Sequence, residues 1–153
     1  MMDKFDRIIL EKLQNQGDIS TTQLAEDIGL STNACWRRIK RLEEDGIIRK
    51  RVALLNEAAL GLKMTVFVSI KTNQHNAKWL EKFANGVKAL PEVVEFYRTS
   101  GDTDYLLKIV ARDIDDYDRV YKRLISVVPL HDVSSSFAME RIKSSTTIPL
   151  EPA

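Results

Sequence analysis

Phe5, Ile8, Ile9, Leu10 and Leu13 recur near helical spacing and predict an amphipathic first helix, with Asp3 as its cap and Gly17-Asp18 as its stop. Ser20-Thr21-Thr22-Gln23 has the capping-box pattern, and the short helix after it places Leu24, Ala25 and Ile28 on one side. Gly29 breaks that helix where a left-handed backbone suits a tight turn. Ser31 caps a further helix over 32–45, in which Cys35, Ile39 and Leu42 run i, i+4, i+7 along the buried side and Gly46 is the stop. Residues 47–55 are β-prone and read as an extended segment, and 56–61 as a turn or short helical piece.

Beyond that point the period alternates between two and 3.6. Strands are expected over 63–72, 93–100, 105–111 and 133–141, and helices over 76–89 and 113–127. The first of these helices buries Trp79, Leu80, Phe83, Val87 and Leu90; the second buries Ile114, Tyr117, Val120, Tyr121 and Leu124. Pro91 and Pro129 end them, and Asp113 caps the second. The order β-α-β-β-α-β is the split βαβ, or ferredoxin-like, arrangement, which puts both helices on one face of the sheet. In Met64 to Ile70 both alternating sets contain apolar residues, so the open face is expected to be covered by a second subunit. The fold class is α+β: a winged-type helix-turn-helix domain over 1–55 and a ferredoxin-like domain over 56–153.

With 153 residues, 44% of them hydrophobic, two small cores are within reach. The longest apolar runs are too short to span a bilayer and no signal-like stretch opens the chain, so a cytoplasmic protein without a membrane partner is expected. The single cysteine, Cys35, falls on a buried stripe and reads as core; His75 and His131 read as loop residues. Asp115, Asp116 and Asp118 fit a helix's first turn better than a metal site. No nucleophile–base pair, metal cluster or phosphate loop is present in the pattern, so neither an enzyme nor a cofactor is expected.

Charge changes the picture. Residues 31–51 hold seven basic residues against three acids, a local +4 in a chain whose total is +1. The helix pair around Gly29, with small Ala25 at the crossing and Leu30 under the turn, has helix-turn-helix spacing. Opposite its buried side, Asn33, Arg37, Lys40, Arg41 and Glu44 cluster, with Trp36 on the flank, and Asn and Arg suit base edges in the major groove. Ser31 and Thr32 at the helix start suit a phosphate. Arg38 joins the basic set, and Arg49, Lys50 and Arg51 form a second cluster for the backbone beside the groove. Double-stranded DNA is the partner this pattern implies; a solvated charged face is the plainer alternative.

Asp6-Arg7-Ile8-Ile9-Leu10, Leu24-Ala25, Gly29-Leu30-Ser31, Cys35 to Glu43, Gly46-Ile47-Ile48 and Gly101 to Lys108 together resemble the Lrp/AsnC family of feast/famine transcriptional regulators, in the same order over nearly the whole chain. The Cys35-Trp36 pair and Ser135 to Glu140 look most like its DecR-like, cysteine-responsive branch. The resemblance implies a regulator whose second (RAM, or effector) domain forms homodimers that associate into tetramers or octamers and bind an amino acid near the Gly-Asp-x-Asp turn. Carried over by position, the effector residues are Thr99, Ser100, Gly101, Asp102, Thr103 and Asp104, with Ser134, Ser135 and Ser136 on the last strand. Thr103 replaces a bulkier residue found in many relatives. Asp102 and Asp104 can accept from an ammonium and the Gly101 N–H can approach a carboxylate, although the same four residues also make an ordinary hairpin turn. An architectural DNA binder that needs no effector is the alternative function.

Overall fold

The computed structural model describes residues 2–150, which divide into two compact units, each with its own hydrophobic cluster.

The first unit contains α1 (Lys4–Asn15), α2 (Thr21–Ile28) and α3 (Thr32–Glu44). Asp3 caps α1 in a full capping box with Asp6. At α2 only half of the expected box forms. Ser20 Oγ accepts the Gln23 N–H at 3.1 Å, but the Gln23 side chain, instead of reaching back to accept the Ser20 N–H, donates its Nε2–H to the Asp27 carboxylate at 2.9 Å, a stronger, charge-assisted bond. Gly29 has φ +74° and ends α2, so any side chain there would be strained. Ile9, Leu10, Leu24, Ala25, Cys35, Ile39 and Leu42 form the buried cluster, with Leu30 packed against it. Burial pushes the Cys35 thiol up, which keeps it protonated and unreactive. Residues 49–56 carry neither helix nor strand.

The unit also takes in the chain's last described stretch, 142–150, which the expected boundary near residue 56 places in the second domain. Leu150 packs against the first cluster, and the Gln14 amide holds Ile148 at both ends, accepting its N–H at 2.7 Å and donating to its carbonyl at 3.2 Å. An extended segment cannot satisfy its own backbone groups, and here a side-chain amide does so. The expected domains also include residues 1 and 151–153, which lie outside the described residues.

The second unit, Leu55–Arg141, contains β1 (Met64–Lys71), α4 (Ala77–Lys88), β2 (Val93–Arg98), β3 (Tyr105–Ala111), α5 (Ile114–Val127) and β4 (Asp132–Phe137). The strands pair antiparallel in the order β2-β3-β1-β4. Val66, Val68 and Ile70 of β1 and Leu107 and Ile109 of β3 face Phe83, Val87, Val120 and Leu124 of the helices. On the opposite side Thr65, Phe67, Ser69, Leu106 and Lys108 alternate with that core set.

Two details depart from the expected pattern. Ile114, expected inside, is 66% exposed, because α5 contributes to the core only from Tyr117 onward. β4 stops at Phe137 rather than 141. Its partner β1 begins at Met64, Phe137 already lies opposite Val66, and the Ala138 N–H uses the Thr65 carbonyl. Past that point β1 has no ladder left to pair with.

The two helices approach closely at Gly86, where an added Cβ would overlap a Val127 methyl. Alanine is ordinarily about 1 kcal/mol better than glycine within a helix. Here overpacking opposes that gain and costs about 1–3 kcal/mol. Gly86→Ala is therefore expected to lower stability by up to about 2 kcal/mol in urea titration, the net of these two effects; a stabilised variant would show that Val127 yields freely.

Candidate nucleic-acid interface and ligand turn

Burial of Cys35, Ile39 and Leu42 fixes the roll of α3, so its opposite side faces solvent. Asn33, Arg37 and Lys40 lie there, exposed. Asn33 and Arg37 form no side-chain hydrogen bond or ion pair among the described residues, leaving their donors for another molecule. The Lys40 ammonium sits 5.8 Å from the centre of the Trp36 ring, a cation–π arrangement on the same rim, and Trp36 is 51% exposed. Ser31 Oγ accepts the Ala34 N–H at 3.1 Å, which leaves its own hydroxyl proton to donate, and Thr32 is exposed beside it. Arg49 and Lys50 are exposed; Arg51 reaches Glu43 at 3.3 Å.

Arg38 and Arg41 are placed differently from what the basic pattern suggests. Arg38 donates to Asp3 at 2.7 Å and to Asp6 at 2.8 Å, and its guanidinium lies 5.4 Å from the centre of the Phe5 ring. Arg41 donates to the other Asp6 oxygen at 2.6 Å. The Asp3 and Asp6 carboxylates push Arg38 above its usual value, and the Asp6 N–H, followed by Arg38, holds the Asp3 carboxyl below its own. Asp6 is absent from the expected site, yet the sequence carries its signal: it lies in phase with Ile9, Leu10 and Leu13, an acid within an apolar stripe.

In the second unit, β1, β2, β3 and β4 all have an end at the hairpin turn between β2 and β3. Ser100, Gly101 (φ +103°) and Asp102 are exposed at its tip, while Thr99, Thr103 and Asp104 are half-buried. The Thr99 hydroxyl donates to the Thr103 carbonyl, and the Thr99 N–H to that of Asp104 at 2.9 Å. Asp104 ties the turn to β1: its N–H donates to the Ile70 carbonyl at 3.0 Å and its carboxylate accepts the Thr72 N–H at 2.8 Å. One Asp104 oxygen is thus structural, and Asp102 is the carboxylate without such a tie.

The three serines do not gather at this turn. Ser134 and Ser136 are on the open face, opposite Ser69 and Phe67, at increasing distance from the turn along β4. Ser135 points to the helix side and shares a hydrogen bond with the Tyr117 hydroxyl. Burial raises the Tyr117 pKa, and that contact offsets part of the rise. Alternation along a strand makes three consecutive serines on one face impossible.

Asp104→Ala leaves the buried Thr72 N–H without its acceptor. We expect about 1–3 kcal/mol of destabilisation and faster hydrogen exchange at Thr72. Unchanged protection there would rule out the structural role. Asp102→Asn is consequently the cleaner probe of ligand contact.

Comparisons with known proteins bear on both domains. Residues 2–49 match the model for winged helix-turn-helix DNA-binding domains, and residues 65–148 match that for the Lrp/AsnC ligand binding domain. The chain is 50% identical over 149 residues to the glutamate uptake regulatory protein of Zymomonas mobilis, covering 97% of this chain and 91% of that one. It is 47% identical over 152 residues to the DNA-binding transcriptional activator DecR of Escherichia coli, covering 99% and 100%. Among solved structures, a transcriptional regulator of Neisseria meningitidis in complex with L-Met superposes with a TM-score of 0.92 at 34% identity, covering 97% of each chain. These relatives are regulators rather than catalysts, and no helix among the described residues is long and apolar enough to cross a membrane. From its helix-turn-helix to its four-stranded sheet, this chain belongs to the Lrp/AsnC family of DNA-binding transcriptional regulators.

Proposed function

We propose that this protein binds specific DNA sequences through α3 and that a free amino acid modulates both its assembly and its DNA binding. The observation that carries the reading is the outer face of α3, where Asn33 and Arg37 present unengaged donors beside Lys40. Such side chains discriminate base edges, while Ser31, Thr32, Arg49 and Lys50 suit phosphates that fix register.

The open sheet face supports pairing of subunits. Phe67 is 39% exposed in mid-strand, and Tyr97 stands on the same face two strands away. Covering this face with a second copy removes apolar surface from water, and a dimer carries two copies of α3 for two half-sites. Dimers associating further into tetramers or octamers would create a site at the Gly101–Asp104 turn. There Asp102 and the free side of Asp104 accept from an ammonium, and exposed backbone N–H groups meet a carboxylate. The L-Met complex of the Neisseria meningitidis regulator supports an amino acid as the ligand class. The ligand shifts assembly only by as much as its affinities for the assemblies differ.

The test is selection of a duplex by the protein from a random-sequence pool, followed by affinity for it with each of the twenty amino acids added. One amino acid should shift the affinity severalfold, and Asp102→Asn should reduce the shift. Selection with indifference to every amino acid would favour an architectural DNA binder that needs no effector. Failure to select any duplex would overturn DNA reading altogether.

A further inference from the structure

Asp6 is fully buried, yet it carries a carboxylate on the apolar side of α1. Burying a charge without compensation is expensive, so its neighbours must supply it. They do so completely. One oxygen accepts from Arg38 at 2.8 Å; the other accepts from Arg41 at 2.6 Å and from the Asp3 N–H at 3.0 Å. Both arginines belong to α3, three residues apart, and so grip the helix at points almost one turn from each other. Arg38 is also held by Asp3.

Two grips on one buried anion do what a hydrophobic stripe does less well. Apolar packing tolerates small rotations of a helix about its axis, whereas charged hydrogen bonds are short and directional. A rotation of α3 would stretch the Arg38 and Arg41 bonds together and shift Asn33 and Arg37 relative to the groove. Arg41 lies about 80° around the helix from Asn33 at 100° per residue, and its side chain is half exposed. Released from Asp6, it is long enough to swing toward a DNA backbone.

We propose that Asp6 is a positioning residue for base reading: it fixes the roll of α3 and withholds Arg41 from the phosphates. This rests on the DNA-reading function proposed above. It also revises the sequence expectation for Arg38 and Arg41, whose charge is spent within the protein rather than on DNA. A buried acid thereby sharpens specificity, because each additional phosphate contact strengthens binding to all sequences alike.

The experiment measures binding of the full chain, by fluorescence anisotropy between 50 and 200 mM salt, to a duplex selected by the wild-type protein and to a scrambled duplex. For Asp6→Asn, with helicity checked by circular dichroism, log K against log salt should steepen by about one unit as Arg41 joins the phosphates. The preference for the selected over the scrambled duplex should fall about tenfold or more. Arg41→Gln alone should leave the salt slope at the wild-type value. The Asp6→Asn/Arg41→Gln double variant should return the slope to it, a rescue that mere loosening of the fold would not produce.

A folded Asp6→Asn protein with unchanged slope and unchanged preference would overturn the proposal. So would an Arg41→Gln slope shallower by about one unit, since Arg41 would then already be on a phosphate. The Arg41→Gln arm can overturn the proposal even if Asp6→Asn does not fold. Failure of the wild-type protein to select any duplex would instead sink the DNA-reading function itself, which separates the two failures.

Discussion

Arg37→Ala is expected to weaken binding to the selected duplex by roughly 5- to 150-fold, corresponding to the about 1–3 kcal/mol that a bidentate base contact contributes. Arg37 is exposed on the outer face of α3 and has no side-chain hydrogen bond or ion pair among the described residues, so its removal should leave stability unchanged. The loss should fall on the selected sequence and spare a scrambled one. Asn33→Ala should behave in the same way at a different base position, since the two residues lie one helical turn apart on the same face. Anisotropy titrations on both duplexes distinguish this from a phosphate contact, whose loss weakens every sequence alike and flattens the salt slope. An equal loss on both duplexes would move Arg37 from the reading set to the positioning set.

Phe83→Ala is expected to cost the second unit about 3–5 kcal/mol. Phe83 is fully buried at the centre of an aromatic cluster: its ring lies 4.9 Å from Trp79, 5.1 Å from Tyr105 and 5.5 Å from Phe96. No neighbour of that size can collapse into the space left behind. For a unit of this length the melting temperature should fall by on the order of 20 °C. Tyr105 directly follows Asp104, so losing its packing partner should also loosen the hairpin turn proposed to hold the ligand. Hydrogen exchange should show reduced protection at Val68 and Leu107, with Ile9 and Leu24 retaining theirs, because the two clusters share no residue. Equal loss of protection in both would mean that they unfold as one cooperative body.

Much of this was legible in the sequence because it is local. Asp3, Ser31 and Asp113 act at helix starts within three residues of the groups they cap, and Gly29 needs only its own φ. Period 3.6 in α4 and α5 reported the right buried side, apart from Ile114, whereas in β1 both alternating sets hold apolar residues and only the structure shows that Val66, Val68 and Ile70 face the helices. What the sequence concealed depends on distant partners. Arg38 and Arg41 read from the sequence as part of the DNA-binding basic set, and their pairing with Asp6, more than thirty residues earlier, emerges only in the fold. The end of β4 is set by where β1 begins, and the return of 142–150 is set by Gln14, 134 residues before Ile148. The serine run on β4 looked like one site because a motif has no faces; pleating sends Ser135 to Tyr117 and the other two to the open side. The tie of Asp104 to Thr72 emerges only when the hairpin meets β1.

The most direct test of an amino-acid-responsive DNA reader is the assembly mass of the protein on its selected duplex, followed by light scattering while each amino acid, cysteine, glutamate and methionine included, is titrated in. The account predicts that one amino acid shifts the mass and the DNA affinity over the same concentration range, and that Asp102→Asn displaces both curves together. A mass and an affinity that stay constant across all twenty, on a duplex the protein demonstrably selects, would contradict it.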